Sequence, residues 1–131
     1  MILYNYNPDL PKPFCWVHPL KVNEVMSIAQ SKFPAEIRSF LLFGGALDPS
    51  CDGYSDIDLY AVVDNEYLGT DEENRENRFD SLNRTLRNVI KQSTKKYDLL
   101  IATADDFEAE ANRMGSVESE ICKQGVRIYA K

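Results

Sequence analysis

Three apolar segments of strand length constrain the fold more than any other feature of the chain. They are "IRSFLLF" at residues 37–43, "DIDLYAVV" at 56–63 and "YDLLIAT" at 97–103. Between the second and the third, residues 75–92 repeat apolar side chains at intervals of three and four, which predicts an amphipathic helix. Strands that alternate with helices favour a sheet covered by helices. We therefore predict an α/β (α+β) fold, with a small mixed β-sheet and helices packed on it.

Weaker signals predict the remaining elements and one domain over residues 21–131, preceded by an irregular proline-rich arm over 1–20. The acidic, polar residues 64–74 predict a mobile loop. The further elements are a short strand at 2–4, a helix over 21–32 that Pro34 ends, a helix over 104–113 with Thr103 and Asp106 as its capping pair, a helix from Ser116 to Gly125, and a closing strand "VRIYA".

The composition excludes several classes of function. The net charge of −6 argues against broad nucleic-acid binding, which needs a positive surface. No apolar run is long enough for a membrane span and no signal segment begins the chain, so we expect a cytoplasmic protein. Four arginines of the predicted helix form a basic face, which we interpret as solvated, with contact to an acidic partner as the alternative; they are Arg75, Arg78, Arg84 and Arg87.

The cysteine and histidine content disfavours disulfide, zinc and triad chemistry. Cys15, Cys51 and Cys122 are odd in number and widely spaced, so we expect reduced, structural thiols. His18 is the single histidine and lies in the arm, which leaves a Ser-His-Asp or Cys-His mechanism without support.

Two carboxylates interrupt the second apolar segment. Because strand side chains alternate between faces, Asp56 and Asp58 share one face with Tyr60 and Val62, while Leu59 and its alternate neighbours point into the core. An unpartnered buried carboxylate is costly, and two on one face also repel each other. Such a pair is stable where a divalent cation lies between the carboxylates, or where the face opens to water.

A glycine pair and a third carboxylate extend this pattern. The backbone N–H groups of Gly44 and Gly45 can approach a phosphate closely, because glycine has no side chain. Asp98 lies near the start of the third apolar segment, where a neighbouring strand can bring it beside the first two carboxylates. Three carboxylates could hold two magnesium ions, and sites with two metal ions are used in phosphoryl chemistry. The pattern predicts a phosphate-binding loop that faces a metal site.

These motifs resemble those of a known family. In spacing, "GGALDPSCDGYSDIDL" is similar to the glycine-serine and Asp-x-Asp motif of DNA polymerase beta-like nucleotidyltransferases, and the later Asp98 corresponds to their third carboxylate. The tail from Tyr97 to Lys131 resembles the ending of the minimal nucleotidyltransferases, small domains often paired with a helical HEPN protein as antitoxin and toxin. The resemblance covers about residues 36–131 and leaves the arm unexplained.

The resemblance implies a reaction and a role for each motif residue. Asp56 and Asp58 would bind the catalytic magnesium ions, and Asp98 would complete the metal site and act as, or near, the base for the incoming hydroxyl. The residues implied for nucleotide binding are Gly44, Gly45 and Ser55. A nucleoside monophosphate, with AMP from ATP as the expected transfer, would pass to a hydroxyl of a partner protein.

Two departures from the family pattern keep alternatives open. Gly45 stands where the family has serine, and the following loop has no basic residue but contains Asp48 and Asp52 beside the expected triphosphate. The first alternative is a catalytically degenerate protein of this fold that binds and neutralises a partner. The second is transfer to a small molecule such as an aminoglycoside, for which an oligomer would have to supply the acceptor site.

Overall fold

A five-stranded mixed sheet organises the chain. The computed structural model describes residues 4–5, 19–43, 57–93, 97–124 and 126–130. The strands are β1 (Tyr4–Asn5), β2 (Ile37–Leu42), β3 (Ile57–Val63), β4 (Tyr97–Thr103) and β5 (Val126–Ala130), in the spatial order β1-β5-β2-β3-β4. Strand β2 is antiparallel to both β3 and β5, whereas the β3–β4 and β1–β5 pairs are parallel.

Five helices accompany the sheet in the described part of the chain. They are α1 (Pro19–Lys32), α2 (Asn65–Leu68), α3 (Glu72–Ser93), α4 (Ala104–Ala111) and α5 (Val117–Gln124). Strands β3 and β4 are parallel, so a crossover must connect them, and α2 and α3 lie in that crossover. Within the described ranges, no helix combines the length and the apolar composition that crossing a bilayer requires.

Two apolar clusters lie on opposite faces of the sheet. On the first face, Phe40 and Leu59 pack with residues of α1 and α3, among them the fully buried Leu86. On the second face, Leu41, Tyr60 and Val62 pack against α4 and α5. The prediction that Leu59 and its alternate neighbours point into the core is therefore incomplete, because Tyr60 and Val62 on the other face of β3 are also buried, at 3% and 4% exposed. Helices cover both faces, and β3 is apolar on both sides for that reason.

Local capping explains where two helices begin. The Thr103 hydroxyl accepts a hydrogen bond from the N–H of Asp106 at 3.1 Å, which confirms the predicted start of α4. The Ser116 hydroxyl accepts one from the N–H of Ser119 at 3.0 Å, at the predicted start of α5. The four main predicted strands and the 75–92 helix are confirmed as β2 to β5 and α3, with ends that differ by up to three residues.

The prediction of a loop over residues 64–74 is wrong, because its acidic residues cap helices. The carboxylate of Asp64 accepts a hydrogen bond from the N–H of Glu66 at 2.8 Å and begins α2. Gly69 ends α2 with a φ of 78°, a left-handed conformation that glycine adopts without strain. The carboxylate of Asp71 accepts from the N–H of Glu73 at 3.1 Å, so α3 begins at residue 72.

Candidate functional site

Asp58 and Asp98 lie side by side on neighbouring strands. In the parallel pairing of β3 with β4, the Cα atoms of Asp58 and Asp98 are direct register partners. Both residues are close to the start of their strands, at the same end of the sheet. Asp58 is half-buried and Asp98 is exposed. The structure therefore brings together two of the three carboxylates that the sequence singles out.

The other predicted site residues are Gly44, Gly45, Ser55 and Asp56, and they lie outside the described residues. Two described neighbours of these residues contact the strand starts. The N–H of Phe43, the residue directly before the glycine pair, donates a hydrogen bond to the carbonyl of Asp58 at 3.1 Å. Ile57, which follows Asp56 in the sequence, is the register partner of Tyr97. Phe43 and Ile57, the described residues on either side of 44–56, thus both lie beside the starts of β3 and β4.

The second face of the sheet is closed two residues beyond Asp58. Tyr60 packs its ring edge-to-face against Phe107 of α4, with ring centroids 5.1 Å apart. Its hydroxyl donates a hydrogen bond to Oε1 of Glu118 on α5 at 3.0 Å. Burial raises the pKa of Tyr60 well above its usual range, and the bond to Glu118 raises it further. Tyr60 therefore keeps its proton and does not act as a base. Its packed ring closes the sheet face two residues beyond Asp58.

The same face stays open on β4. Leu100 is the register partner of Tyr60, yet it is 42% exposed. It lies two residues from Asp98, and side chains two apart in a strand share a face. The cover provided by α4 and α5 therefore ends between β3 and the first half of β4. Asp98 and Leu100 form an accessible edge beside Asp58.

An arginine of α3 holds the strand that carries Asp98. The Nη2 of Arg87 donates to the carbonyl of Leu99 at 2.9 Å, and the hydroxyl of Tyr97 donates to the carbonyl of Arg87 at 3.0 Å. The expected solvated position is wrong for Arg87, which is half-buried between α3 and β4. Since Tyr97 and Leu99 flank Asp98, these bonds help to fix its position along the sheet.

The donor set of the site suits a hard divalent cation. Asp58 and Asp98 offer carboxylate oxygens only, and magnesium commonly takes one or two protein carboxylates while it keeps several waters. No group of three or more potential metal ligands occurs among the described residues, and Asp56 is outside them. The described part of the chain thus contains two of the three carboxylates that the sequence analysis expects at this site.

Sequence reasoning did not predict the packing of Tyr60 beside Asp58 or the hydrogen bond from Arg87 to β4. The contact between Tyr60 and Glu118 joins residues that are 58 positions apart, and the bond from Arg87 to β4 depends on how α3 packs. One signal was available, because Tyr60 shares the face of Asp58.

Of the three cysteines, Cys122 is described; it is buried against α4, and burial raises the pKa of its thiol.

Comparison with known proteins adds no identification. No protein-family model, no curated protein and no solved structure matches the chain.

Proposed function

We propose that the chain is a magnesium-dependent nucleotidyltransferase that transfers a nucleoside monophosphate to a hydroxyl of a partner protein. The observation that carries this proposal is the register of Asp58 against Asp98 on parallel strands, at an accessible edge of the sheet. Two carboxylates directly opposite each other on neighbouring strands repel, which costs stability where no positive charge offsets it. A bound cation removes that cost.

Each candidate site residue has its own role in the proposed transfer. Asp58 and Asp98 would hold magnesium, which supplies charge neutralisation at the triphosphate and positions the reacting oxygens. The acceptor oxygen forms a bond to the α-phosphorus, the bond from that phosphorus to the bridging oxygen breaks, and pyrophosphate leaves. Asp98, which is exposed, accepts the proton of the acceptor hydroxyl or directs it to water. The N–H groups of Gly44 and Gly45 would bind the phosphates.

The partner protein follows from the resemblance to the minimal nucleotidyltransferases. By that resemblance, the acceptor is a hydroxyl of a HEPN-like protein, and the chain is the antitoxin of a toxin–antitoxin pair. The alternative is a degenerate protein that neutralises the partner by contact, and its motivation is the sequence at Gly45, Asp48 and Asp52.

The test is calorimetric titration of ATP with magnesium into the purified protein and into Asp58→Asn and Asp98→Asn. Asp80→Asn is the matched control, because Asp80 is an exposed carboxylate on α3. We expect magnesium-dependent binding in the wild type and in the control, and its loss in both site variants. Other nucleoside triphosphates would then give the base preference.

Transfer itself is measured with α-phosphate-labelled nucleotide and a HEPN-like protein as the acceptor. Label in the partner that depends on Asp58 supports the enzyme. If the nucleotide does not bind and Asp58→Asn/Asp98→Asn still neutralises the partner, the degenerate alternative replaces the enzyme. Label that appears equally with Asp58→Asn would refute the assigned site.

A further inference from the structure

A second cleft lies on the sheet face that α4 covers, away from the carboxylates. Its volume is about 240 Å³, and Arg38, Leu41, Val62 and Phe107 are among its lining residues, with Glu108 and Arg127. Val62 lies four residues along β3 from Asp58, which corresponds to roughly 13 Å. Tyr60 and its contact with Phe107 lie on the same face between Asp58 and Val62. The cleft is thus distinct from the candidate nucleotidyl-transfer site.

The strand register directs Arg127 into this cleft. Arg127 of β5 is the partner of Leu41 on β2, and Leu41 belongs to the apolar cluster on the α4 face. A register shift between Phe40 and Leu41 sets this pairing. Arg127 also acts electrostatically on the thiol of Cys122, a residue of α5 in the same cluster. Arg127 is half-buried.

The cleft has a local charge opposite to that of the chain. Two guanidinium groups, from Arg38 and Arg127, line it with a single carboxylate, that of Glu108. The chain as a whole has a net charge of −6. The ion pairs between described residues join Arg113 to Glu110 and Lys123 to Glu120, and neither includes the two arginines of the cleft. The charged side chains that line the cleft therefore sum to one positive charge, although α4 carries further carboxylates outside the lining.

The size and the apolar lining restrict the ligand further. Typical cofactor and ligand sites measure about 300–1,000 Å³, so a cleft of about 240 Å³ is too small for a whole nucleotide. Leu41, Val62 and Phe107 line the cleft and are 1%, 4% and 8% exposed, so they contribute narrow apolar edges to it. We expect one planar ring to contact these edges while an attached anionic group reaches the arginines, whose fork geometry suits carboxylate and phosphate oxygens.

We infer that this cleft is a binding site for a small organic anion, a phosphate or carboxylate group carried on one planar apolar ring. The guanidinium groups of Arg38 and Arg127 bind the anionic group, and the ring contacts the exposed edges of Val62 and Phe107. The site is independent of the proposed nucleotidyl transfer, since it uses neither Asp58 nor Asp98 and needs no magnesium.

The test is an amide chemical-shift titration of ¹⁵N-labelled protein with phenyl phosphate, without magnesium. We expect saturating shifts at Leu41, Val62 and Phe107, with a dissociation constant of about 1 mM for a ligand of this size. The amides of Asp58 and Asp98 should stay unchanged. Benzoate serves as the carboxylate probe, and the tighter of the two ligands identifies the preferred anion. Inorganic phosphate tests the charge without the ring.

Variants separate binding in the cleft from general attraction to a basic side chain. We expect Arg38→Gln/Arg127→Gln to weaken phenyl phosphate binding at least about tenfold, and Arg84→Gln to leave it unchanged, because Arg84 is exposed on α3. Should the double variant lose its dispersed spectrum, the single variant Arg38→Gln, at an exposed position, is expected to weaken phenyl phosphate binding as well. Equal binding by the arginine variants, equal affinity for inorganic phosphate, or no saturating shift would each overturn the assignment.

Discussion

Replacement of Asp98 by asparagine should stabilise the metal-free protein and abolish its response to magnesium. Asp98 and Asp58 are register partners on parallel strands, so their side chains leave the sheet on the same face. An asparagine side chain keeps the size and the shape of the aspartate, while the negative charge is lost. The change in the free energy of unfolding therefore reports the electrostatic interaction between these two positions.

The expected magnitude follows from the pairing. Direct partners on neighbouring strands have side chains about 5 Å apart. At that distance two unit charges repel by about 0.8 kcal/mol in a water-like dielectric and by about 3 kcal/mol at an effective dielectric of about 20. Asp98 is exposed, so the lower value applies. We expect the free energy of unfolding to rise by about 0.5–1 kcal/mol, which raises Tm by about 2–5 °C for a domain of this size.

Urea unfolding at low salt, at high salt and with magnesium provides the assay. The stabilisation of Asp98→Asn should shrink at high salt, because ions screen exposed charges. Magnesium should raise the stability of the wild type, by about 2.7 kcal/mol at a hundredfold excess over its dissociation constant, and leave the variant unchanged. Asp80→Asn should shift neither quantity by more than about 0.5 kcal/mol. A loss of stability in Asp98→Asn at low salt without metal would refute the inferred repulsion.

Four further substitutions test the packing around the site by urea unfolding. Tyr60→Phe should cost about 1 kcal/mol at pH 7, because the bond to Glu118 is lost. Since the pKa of Tyr60 is raised in the folded state, the unfolded chain releases this proton first, near pH 10, and the advantage of the wild type should decrease above that pH. Leu86→Ala should cost about 2–5 kcal/mol, whereas Leu100→Ala should cost less than about 1 kcal/mol, as their exposed fractions are 0% and 42%. Thr103→Ala should cost about 1 kcal/mol through the lost cap of α4, and no change there would contradict the capping role.

Strand β4 shows how far local sequence signals reach. Its observed bounds, Tyr97–Thr103, equal the predicted ones, and the hydroxyl of Thr103 caps α4 as expected. Both features depend on residues that are neighbours in the sequence. Residues 64–74 show the opposite outcome, although their signals are also local. Their acidic composition suggested a loop, yet Asp64 and Asp71 are N-caps. A single carboxylate followed by a short polar segment is compatible with a loop and with the start of a helix.

The environment of the carboxylates depended on long-range packing that no local pattern contains. The sequence predicted that Asp98 lies on a strand near Asp58, and the structure adds that the two are direct register partners. The register of a parallel pair depends on how the whole crossover packs, here through Arg87 of α3 and its bond to β4. The cover over Tyr60 comes from α4 and α5, which follow more than 40 residues later in the chain.

Tyr60 divides its face of the sheet into a closed and an open region. Beyond it, α4 and α5 cover Val62, and the hydroxyl of Tyr60 fastens α5 to β3 through Glu118. Before it, Asp58 meets Asp98, and β4 is the last strand in the order of the sheet. The exposed part of this face therefore lies at the start of β4, beside Asp98 and Leu100 and away from the cover of α4 and α5. In the proposed reaction, we expect the acceptor hydroxyl to approach over Leu100, where the sheet is exposed beside Asp98.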